Sequence, residues 1–204
     1  AKPLAITASQ LTKDSAVLAK ISGSYSLTIS DSSANIASNL DNLQGNIAKI
    51  TSITQTGIAA PLAITETSFK ADAGALAKIT GNYTLNVTNV IAADVARVLA
   101  NTHVASVSIA DSNANIVSNL DNLQKSIAKI SGITQTGTVV PLVITLAITE
   151  ATYKADSAVL AKISNLYRLS LTNVAAGDVI SLISDNHIAS VVVSDSSANI
   201  ATNL

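Results

Sequence analysis

The 204-residue sequence has no cysteine, methionine or tryptophan, and only 2% of its residues are aromatic. Without cysteine, the chain can form no disulfide, no thiolate metal site and no thiol nucleophile. With so few large rings, the core must be built from Ala, Val, Ile and Leu. Small aliphatic side chains in regular layers favour a thin, repetitive structure over a globular centre.

Charge is also scarce, since 12% of the residues are charged and the formal net charge is -1. No cluster of Lys and Arg is present to bind nucleic acid or an anionic membrane surface, so neither partner is expected. The apolar stretches are strand-sized and far short of the roughly 20 residues that a membrane helix needs, so no membrane insertion is predicted. A start at Ala-Lys-Pro, with no signal peptide and no methionine, predicts a processed or excised segment.

An internal repeat is the strongest signal in the sequence. The words ISDSSANI, IADSNANI and VSDSSANI begin at residues 29, 109 and 193. Their aspartates, Asp31, Asp111 and Asp195, are separated by 80 and then 84 residues. The four extra residues fall in VITLAIT at 143–149, which resembles a duplication of LAIT at 62–65. A match over so many positions indicates a repeat architecture.

Each long repeat contains strand–helix modules of about 20–30 residues. The first type (a) opens on PLAIT, the second (b) is short, and the third (c) opens on the DSSANI word. The chain reads a-c-a-b-c-a-b-c, with modules at about 1–30, 31–60, 61–88, 89–110, 111–140, 141–172, 173–194 and 195–204. A module that is absent from one repeat without disturbing its neighbours indicates a solenoid, in which each coil contacts adjacent coils only.

The periodicity of the apolar residues predicts the elements. Helical spacing places residues of the c and a modules on one helical face each: Ile36, Leu40, Leu43, Ile47 and Ile50, and Phe69, Ala73, Leu76 and Ile79. The strands alternate with period 2, so that Leu27 and Ile29 face inward while Thr28 faces outward.

These patterns predict an α/β repeat solenoid, a single elongated domain over residues 1–204. Its mostly parallel β-sheet lies on one side, with right-handed crossovers through amphipathic helices on the other. The residues expected to be buried are Ile36, Leu40, Leu43, Ile47, Leu85, Val87, Leu120 and Leu169. The connection at 54–61, and its counterpart at 134–141, is too short for a helix and is either a hairpin or a tight corner.

The candidate site residues are polar side chains that follow the inward aliphatic pairs at the strand ends. They are Asp31, Asn89, Asp111, Asn173 and Asp195. We interpret them as inward-facing helix N-caps that fasten the loops. The alternative is calcium binding by Asp31, Asp111 and Asp195 with Asn35, Asn115 and Asn199. Calcium needs six to eight oxygens, and one carboxylate per coil supplies too few, so neither a metal nor a cofactor is predicted.

Nothing in the sequence indicates an enzyme. His103 and His187 occupy equivalent places in the two b modules, which favours a structural role. No nucleophile elbow or phosphate-binding glycine pattern is present. Asp41 and Asp121 are interpreted as part of a solvated helix surface. Tyr25, Tyr83 and Tyr167, at the strand starts, are interpreted as packing residues rather than a sugar platform.

The phrase DSSANIASNLDNL at 31–43, and the phrase DSAVLAKI at 14–21 and again at 156–163, resemble repeats of very large secreted proteins. These are type I secreted, hemolysin-type, surface-associated proteins of alphaproteobacteria and their relatives. The resemblance covers almost the whole sequence. It implies export through a type I system and a place in a surface layer, adhesin stalk, filament or biofilm matrix. No calcium-binding or catalytic motif carries over, because none is present to match.

The sequence therefore predicts a non-catalytic, extracellular or cell-surface structural protein. Strand edges left open at the ends of such an array predict head-to-tail self-association. The alternative is a binding module that presents a polar sheet face to polysaccharide or ice. Its outward residues are Ser26, Thr28, Ser30, Thr84, Asn86, Thr88, Ser106, Ser108, Arg168, Ser170, Thr172, Ser190, Val192 and Ser194. Arg168 and Val192 interrupt the regularity that ice binding would favour.

Overall fold

The structure, a computed structural model, describes residues 2–58, 60–137, 144–164 and 166–203. Its strands are β1 (Leu4–Ile6), β2 (Leu27–Asp31), β3 (Ile50–Gln55), β4 (Leu62–Thr65), β5 (Ile79–Thr80), β6 (Leu85–Val90), β7 (Val104–Asp111), β8 (Ile130–Gln135), β9 (Ile144–Thr149), β10 (Tyr167–Val174) and β11 (Ile188–Val193).

Short helices alternate with these strands. They are α1 (Ala8–Lys13), α2 (Ser15–Leu18), α3 (Ser33–Ser38), α4 (Leu40–Gly45), α5 (Glu66–Ala71), α6 (Ala73–Leu76), α7 (Val95–Leu99), α8 (Asn113–Ser118), α9 (Leu120–Lys125), α10 (Glu150–Ala155), α11 (Ser157–Leu160), α12 (Val179–Leu182) and α13 (Ser197–Thr202). Single 3₁₀ turns lie at Ala92–Asp94, Ile127–Lys129 and Ala176–Asp178.

The strands form three parallel sheets, and within the described ranges none of them closes into a barrel. The parallel pairing agrees with the prediction, but the sequence predicts one sheet rather than three. The chain divides into two compact units. The first unit is Ala1–Asn89 with Arg97–Val107, and the second is Val90–Ala96 with Ser108–Leu204. The first contains the sheet β1-β2-β3-β5 and the pair β4-β6, with the start of β7 beside β6. The second contains the end of β7 beside β8, and the sheet β9-β10-β11.

The inward strand residues align across each sheet and form the core. In the first sheet, Leu27 pairs with Leu4 and Ile50, and Ile29 pairs with Ile6 and Ile53. Helices pack on these strands, with α1 on β2, α5 on β4 and α10 on β9. Seven of the eight residues expected in the core are at most 2% exposed: Ile36, Leu40, Leu43, Leu85, Val87, Leu120 and Leu169. Burial of these aliphatic side chains is the main source of stability.

The eighth, Ile47, is only half-buried, so that prediction is wrong. A continuous helical face from Ile36 to Ile50 requires one helix, but α3 ends before its C-cap Asn39 and α4 ends before its C-cap Asn46. Ile47 therefore lies beyond the helical face.

The a module shows the same kind of break. The expected helical face from Phe69 to Ile79 is interrupted at Asp72, which separates α5 from α6. Ala73 is exposed, Phe69 is half-buried, and Ile79 belongs to β5. Two short helices replace the one that the periodicity suggests.

The connection from β3 to β4 is not a hairpin, because the two strands belong to different sheets. Gln55 Nε2 donates to Ser33 Oγ (3.0 Å) and to the carbonyl of Ala60 (3.3 Å), and the Ala60 N–H also donates to Ser33 Oγ (3.3 Å). Residue 59 lies outside the described residues, as do residues 138–141 of the equivalent connection at 134–141.

Candidate functional site

The three aspartates of the repeated word make one recurring arrangement, which we call the aspartate clasp. One oxygen, Oδ1 of Asp31, accepts hydrogen bonds from the Ser32 N–H (2.8 Å) and from Asn35 Nδ2 (2.7 Å). The other, Oδ2, accepts from the Ser9 N–H (3.4 Å), at the start of α1. The carboxylate thus links the end of β2 to the backbone that follows the adjacent strand β1.

The clasp recurs at the other two positions. Asp111 Oδ1 accepts from the Ser112 N–H and from Asn115 Nδ2 (both 2.7 Å), while Oδ2 accepts from the Ala92 N–H (2.8 Å). Asp195 has the corresponding partners. Its Oδ1 accepts hydrogen bonds from the Ser196 N–H and from Asn199 Nδ2. Its Oδ2 is bonded by the Ala176 N–H at 3.0 Å.

The hydrogen bonds at Asp31 and Asp195 favour the ionised carboxylate. Burial alone raises the pKa of Asp31, but the bonds from Asn35, Ser32, Ser9 and Ala8 outweigh it, so the pKa lies below its usual value. For Asp195 the bond from the Ala176 N–H is the largest cause of a lowered pKa, followed by Asn199 and Ser196. Two of the oxygens that calcium would need are therefore occupied by N–H donors at each clasp.

The interpretation of these aspartates as N-caps is wrong by one residue. The capping side chains belong to Ser32, Ser112 and Ser196, whose hydroxyl groups accept from the N–H of Asn35, Asn115 and Asn199. The aspartates fasten loops, which agrees with the second half of that interpretation. Throughout the described ranges, no group of three or more His, Cys, Asp or Glu side chains is placed to hold a metal ion.

Asn89 and Asn173 differ from the aspartates, and the expectation that they face inward is wrong. Both are exposed and have positive φ angles, 56° and 57°. A left-handed residue breaks the alternation of the strand, so the next residue, Val90 or Val174, turns into the core. Asparagine tolerates this conformation better than most residues do.

The outward residues of the strands are exposed or half-buried, as expected, but many bond to one another across strands. The Oγ1 atoms of Thr54 and Thr80 are 3.1 Å apart, and the Oγ atoms of Ser170 and Ser190 are 2.9 Å apart. Ser106 Oγ donates to an asparagine of the neighbouring strand, Oδ1 of Asn86, at 3.0 Å. The polar face is thus partly engaged in its own hydrogen-bond ladders.

The recurring tyrosines pack at strand starts. The hydroxyl groups of Tyr25, Tyr83 and Tyr167 donate to the carbonyls of Leu18, Leu76 and Leu160 at 3.2–3.3 Å. The rings of Tyr83 and His103 stack with centroids 4.0 Å apart, and those of Tyr167 and His187 stack at 4.6 Å.

Four acidic residues that the sequence analysis did not single out are buried: Glu66, Glu150, Asp72 and Asp156. Glu66 Oε1 contacts Lys70 Nζ (2.7 Å) and Arg97 Nη2 (3.1 Å). Glu150 contacts Lys154 Nζ (2.6 Å) and accepts from a backbone N–H. Their recurrence 84 residues apart was the signal available in the sequence.

Asp72 and Asp156 belong to two acid pairs. Asp72 hydrogen-bonds to Asp41, and Asp156 hydrogen-bonds to Asp121. Burial, followed by the neighbouring acid, raises the pKa of Asp72 to about 6 and raises that of Asp156. Asp41 and Asp121 are exposed, as their interpretation as part of a solvated helix surface predicts, and each in addition interacts with a buried acid.

No protein-family model, curated protein or solved structure matches this chain. Among the helices of the described residues, none has the length and apolar character needed to cross a membrane.

Proposed function

We propose that the chain is a non-catalytic, extracellular structural protein, a surface-layer, filament or adhesin-stalk element built by stacking the coils of a solenoid. The aspartate clasp is the observation that supports this most. It recurs with equivalent local partners at positions 31, 111 and 195, and each copy ties the end of a strand to a backbone N–H of the segment that follows the adjacent strand. A fastening between neighbours that repeats along the chain suits the addition of coils.

Self-association follows from a contact that the chain makes twice within itself. Helix α3 packs on strand β4, and its equivalent α8 packs on β9. Ala34, Ala37 and Ala63 line one side of this contact in the first unit. The covered strand residues Leu62 and Leu146 are 0% and 1% exposed.

The same two elements are uncovered elsewhere. Strand β1 repeats the sequence of β4, but its Leu4 is 40% exposed, whereas the equivalent Leu62 is buried. Helix α13 nearly repeats the sequence of α3, and its Ala201 is exposed where the equivalent Ala37 is half-buried. In the proposed assembly, α13 of one copy packs on β1 of the next, as α3 packs on β4. Because the two surfaces differ, the association is head-to-tail.

Multi-angle light scattering and electron microscopy over a range of concentrations test the assembly. The unmodified chain is expected to form extended oligomers, whereas Ala201→Arg and Ala5→Arg place a charge in the interface and keep the chain monomeric. Ala48→Arg is the matched control, because Ala48 is exposed and lies outside both elements. A chain that stays monomeric, or four proteins that assemble equally, would contradict the proposal.

The resemblance to type I secreted surface proteins supports the extracellular location. The alternative, a binding module for polysaccharide or ice on the polar sheet face, has less support. The cross-strand bonds of Thr54 with Thr80 and of Ser170 with Ser190 occupy hydroxyl groups that a ligand would need.

A further inference from the structure

A groove of about 520 Å³ in the first unit has the character of a small-molecule site. Its lining includes the aromatic residues Phe69 and Tyr83, the cations Lys70 and Arg97, and His103. Volumes of roughly 300–1,000 Å³ with a few polar groups on apolar walls are typical of ligand pockets. All of the lining residues belong to the same compact unit.

The two cations of the groove are held in place by one buried carboxylate. Glu66, whose side chain is 7% exposed, contacts both Lys70 and Arg97 through Oε1, while those two side chains are 44% and 51% exposed. A buried carboxylate thus orients two cationic groups that remain accessible to solvent. Ammonium and guanidinium groups together bind carboxylates well, because the guanidinium donates in a planar fork.

The aromatic wall is also fixed. His103 stacks on Tyr83 with an interplanar angle of 8°, and its Nδ1 lies 3.1 Å from the carbonyl oxygen of Tyr83. Since a carbonyl only accepts, Nδ1 carries the hydrogen, and Nε2 is the acceptor nitrogen of the neutral ring. The Tyr83 hydroxyl is fixed by its bond to the carbonyl of Leu76. The wall therefore offers apolar ring faces together with an acceptor for a hydroxyl group.

The equivalent positions of the second unit, 84 residues later, carry three informative changes. Tyr153 replaces Phe69, Asp185 replaces Asn101, and Ser181 replaces Arg97. The carboxylate of Asp185 accepts from the Tyr153 hydroxyl (2.7 Å) and lies 3.0 Å from His187 Nδ1. The bond to Asp185 raises the pKa of Tyr153 to about 12. In the second unit, the carboxylate of Asp185 therefore interacts with both Tyr153 and His187.

We propose that the groove of the first unit binds a carboxylate-bearing sugar, a uronic acid unit of an acidic polysaccharide. The sugar carboxylate binds Lys70 and Arg97, the ring packs on Phe69 and the Tyr83–His103 stack, and a sugar hydroxyl donates to His103 Nε2. The first unit has a second cation, Arg97, where the second unit has Ser181, and the amide of Asn101 where the second unit has the Asp185 carboxylate. The site does not depend on the proposed assembly.

Calorimetric titration with tri-galacturonate tests the site, with maltotriose and acetate as comparison ligands. Tri-galacturonate is expected to bind, whereas the neutral sugar and acetate bind at least tenfold more weakly. Arg97→Ser, which installs the residue of the second unit, should weaken binding at least tenfold. The double variant Phe69→Tyr with Asn101→Asp should abolish it. Arg168→Ser is the control, because Arg168 is exposed and lies outside the groove, and it should change affinity less than twofold.

The two histidines supply a second readout, since the chain has no others. In proton–nitrogen NMR spectra, the imidazole signals of His103 should shift on titration while those of His187 stay in place. Absence of binding at millimolar tri-galacturonate would overturn the proposal. Acetate that binds as well as the sugar would reduce the site to a general anion site and overturn the sugar assignment. Equal effects of Arg97→Ser and Arg168→Ser would exclude the groove.

Discussion

The acid pair of Asp72 and Asp41 predicts an unusual dependence of stability on pH. Asp72 is 3% exposed and hydrogen-bonds to Asp41. Two carboxyl groups therefore lie side by side at a position that is partly shielded from solvent. Its Oδ2 atom is buried and has no hydrogen-bond partner in the part of the chain that the structure describes. Burial of the Asp72 carboxyl, followed by its hydrogen bond and repulsion with Asp41, favours the protonated form and raises the pKa of Asp72 to about 6.

The sign of the effect on folding stability follows from the direction of the pKa shift of Asp72. The pKa of Asp72 is higher in the folded chain than the ordinary 3.8, so the folded state binds the proton more tightly than the unfolded state does. Folding stability from this group is therefore greatest at or below about pH 4 and is lost as the pH rises to about 6. A difference of about 2 in pKa corresponds to about 3 kcal/mol. Because Asp41 is exposed to water, we expect about 1–3 kcal/mol.

Urea unfolding at pH 4.5, 6.0 and 7.5 measures the effect, with Asp72→Asn as the perturbation. The amide is neutral and can donate to Asp41, so the variant should be more stable than the wild type by about 1–3 kcal/mol at pH 7.5. At pH 4.5 the difference should shrink to a small fraction of that value. Asp14→Asn is the matched control, because Asp14 is the N-cap residue of α2, as Asp72 is of α6, but is exposed. An Asp72→Asn variant no more stable than this control at pH 7.5 would refute the reasoning.

Three further predictions concern the core and the clasp. Leu40→Ala should lower the free energy of unfolding by about 2–5 kcal/mol, since Leu40 is 2% exposed. Ile58→Ala, at a side chain that is 95% exposed, should change it little, and equal effects would count against the core. Ser32→Ala should cost about 1 kcal/mol in thermal unfolding, the usual value for an N-cap, whereas no loss would contradict the cap. Calcium should give no site-specific heat in calorimetry, and a drop in melting temperature on chelation would contradict the clasp as described.

The strands were predictable because period-2 alternation directly reports a half-buried sheet. Leu27, Ile29, Leu85 and Val87 are inward as predicted, and the parallel pairing follows from strand–helix alternation. The alternation fails at Asn89, where a single left-handed residue reverses the direction of the next side chain. Periodicity carries no information on the sign of one φ angle.

The helices were less predictable, because helical spacing does not reveal where a helix is interrupted. Asn39 ends one helix and begins the next, and Asp72 does the same, so the faces that looked continuous are each divided. Short polar side chains that compete for backbone hydrogen bonds favour such breaks.

The groove could not have been found from spacing alone. Glu66 and Arg97 are 31 positions apart, and Tyr83 meets His103 across 20. Their meeting depends on how α5, β6 and α7 pack, which no local pattern encodes. The aspartate clasp was half predictable: the recurrence of Asp31 indicated a fastening role, but its long-range partner Ser9 came only from the pairing of β1 with β2.

Site-directed crosslinking tests the central claim, head-to-tail stacking of coils, most directly. The chain has no cysteine, so Ala5→Cys with Ala201→Cys introduces the only two thiols, one on β1 and one on α13. A short bismaleimide should join successive copies and give a ladder of dimers, trimers and higher oligomers on a denaturing gel. Moving the second thiol to Ala48, away from the interface, should abolish the ladder. If the double variant gives only monomer, as the Ala48 control does at the same concentration, the account is contradicted.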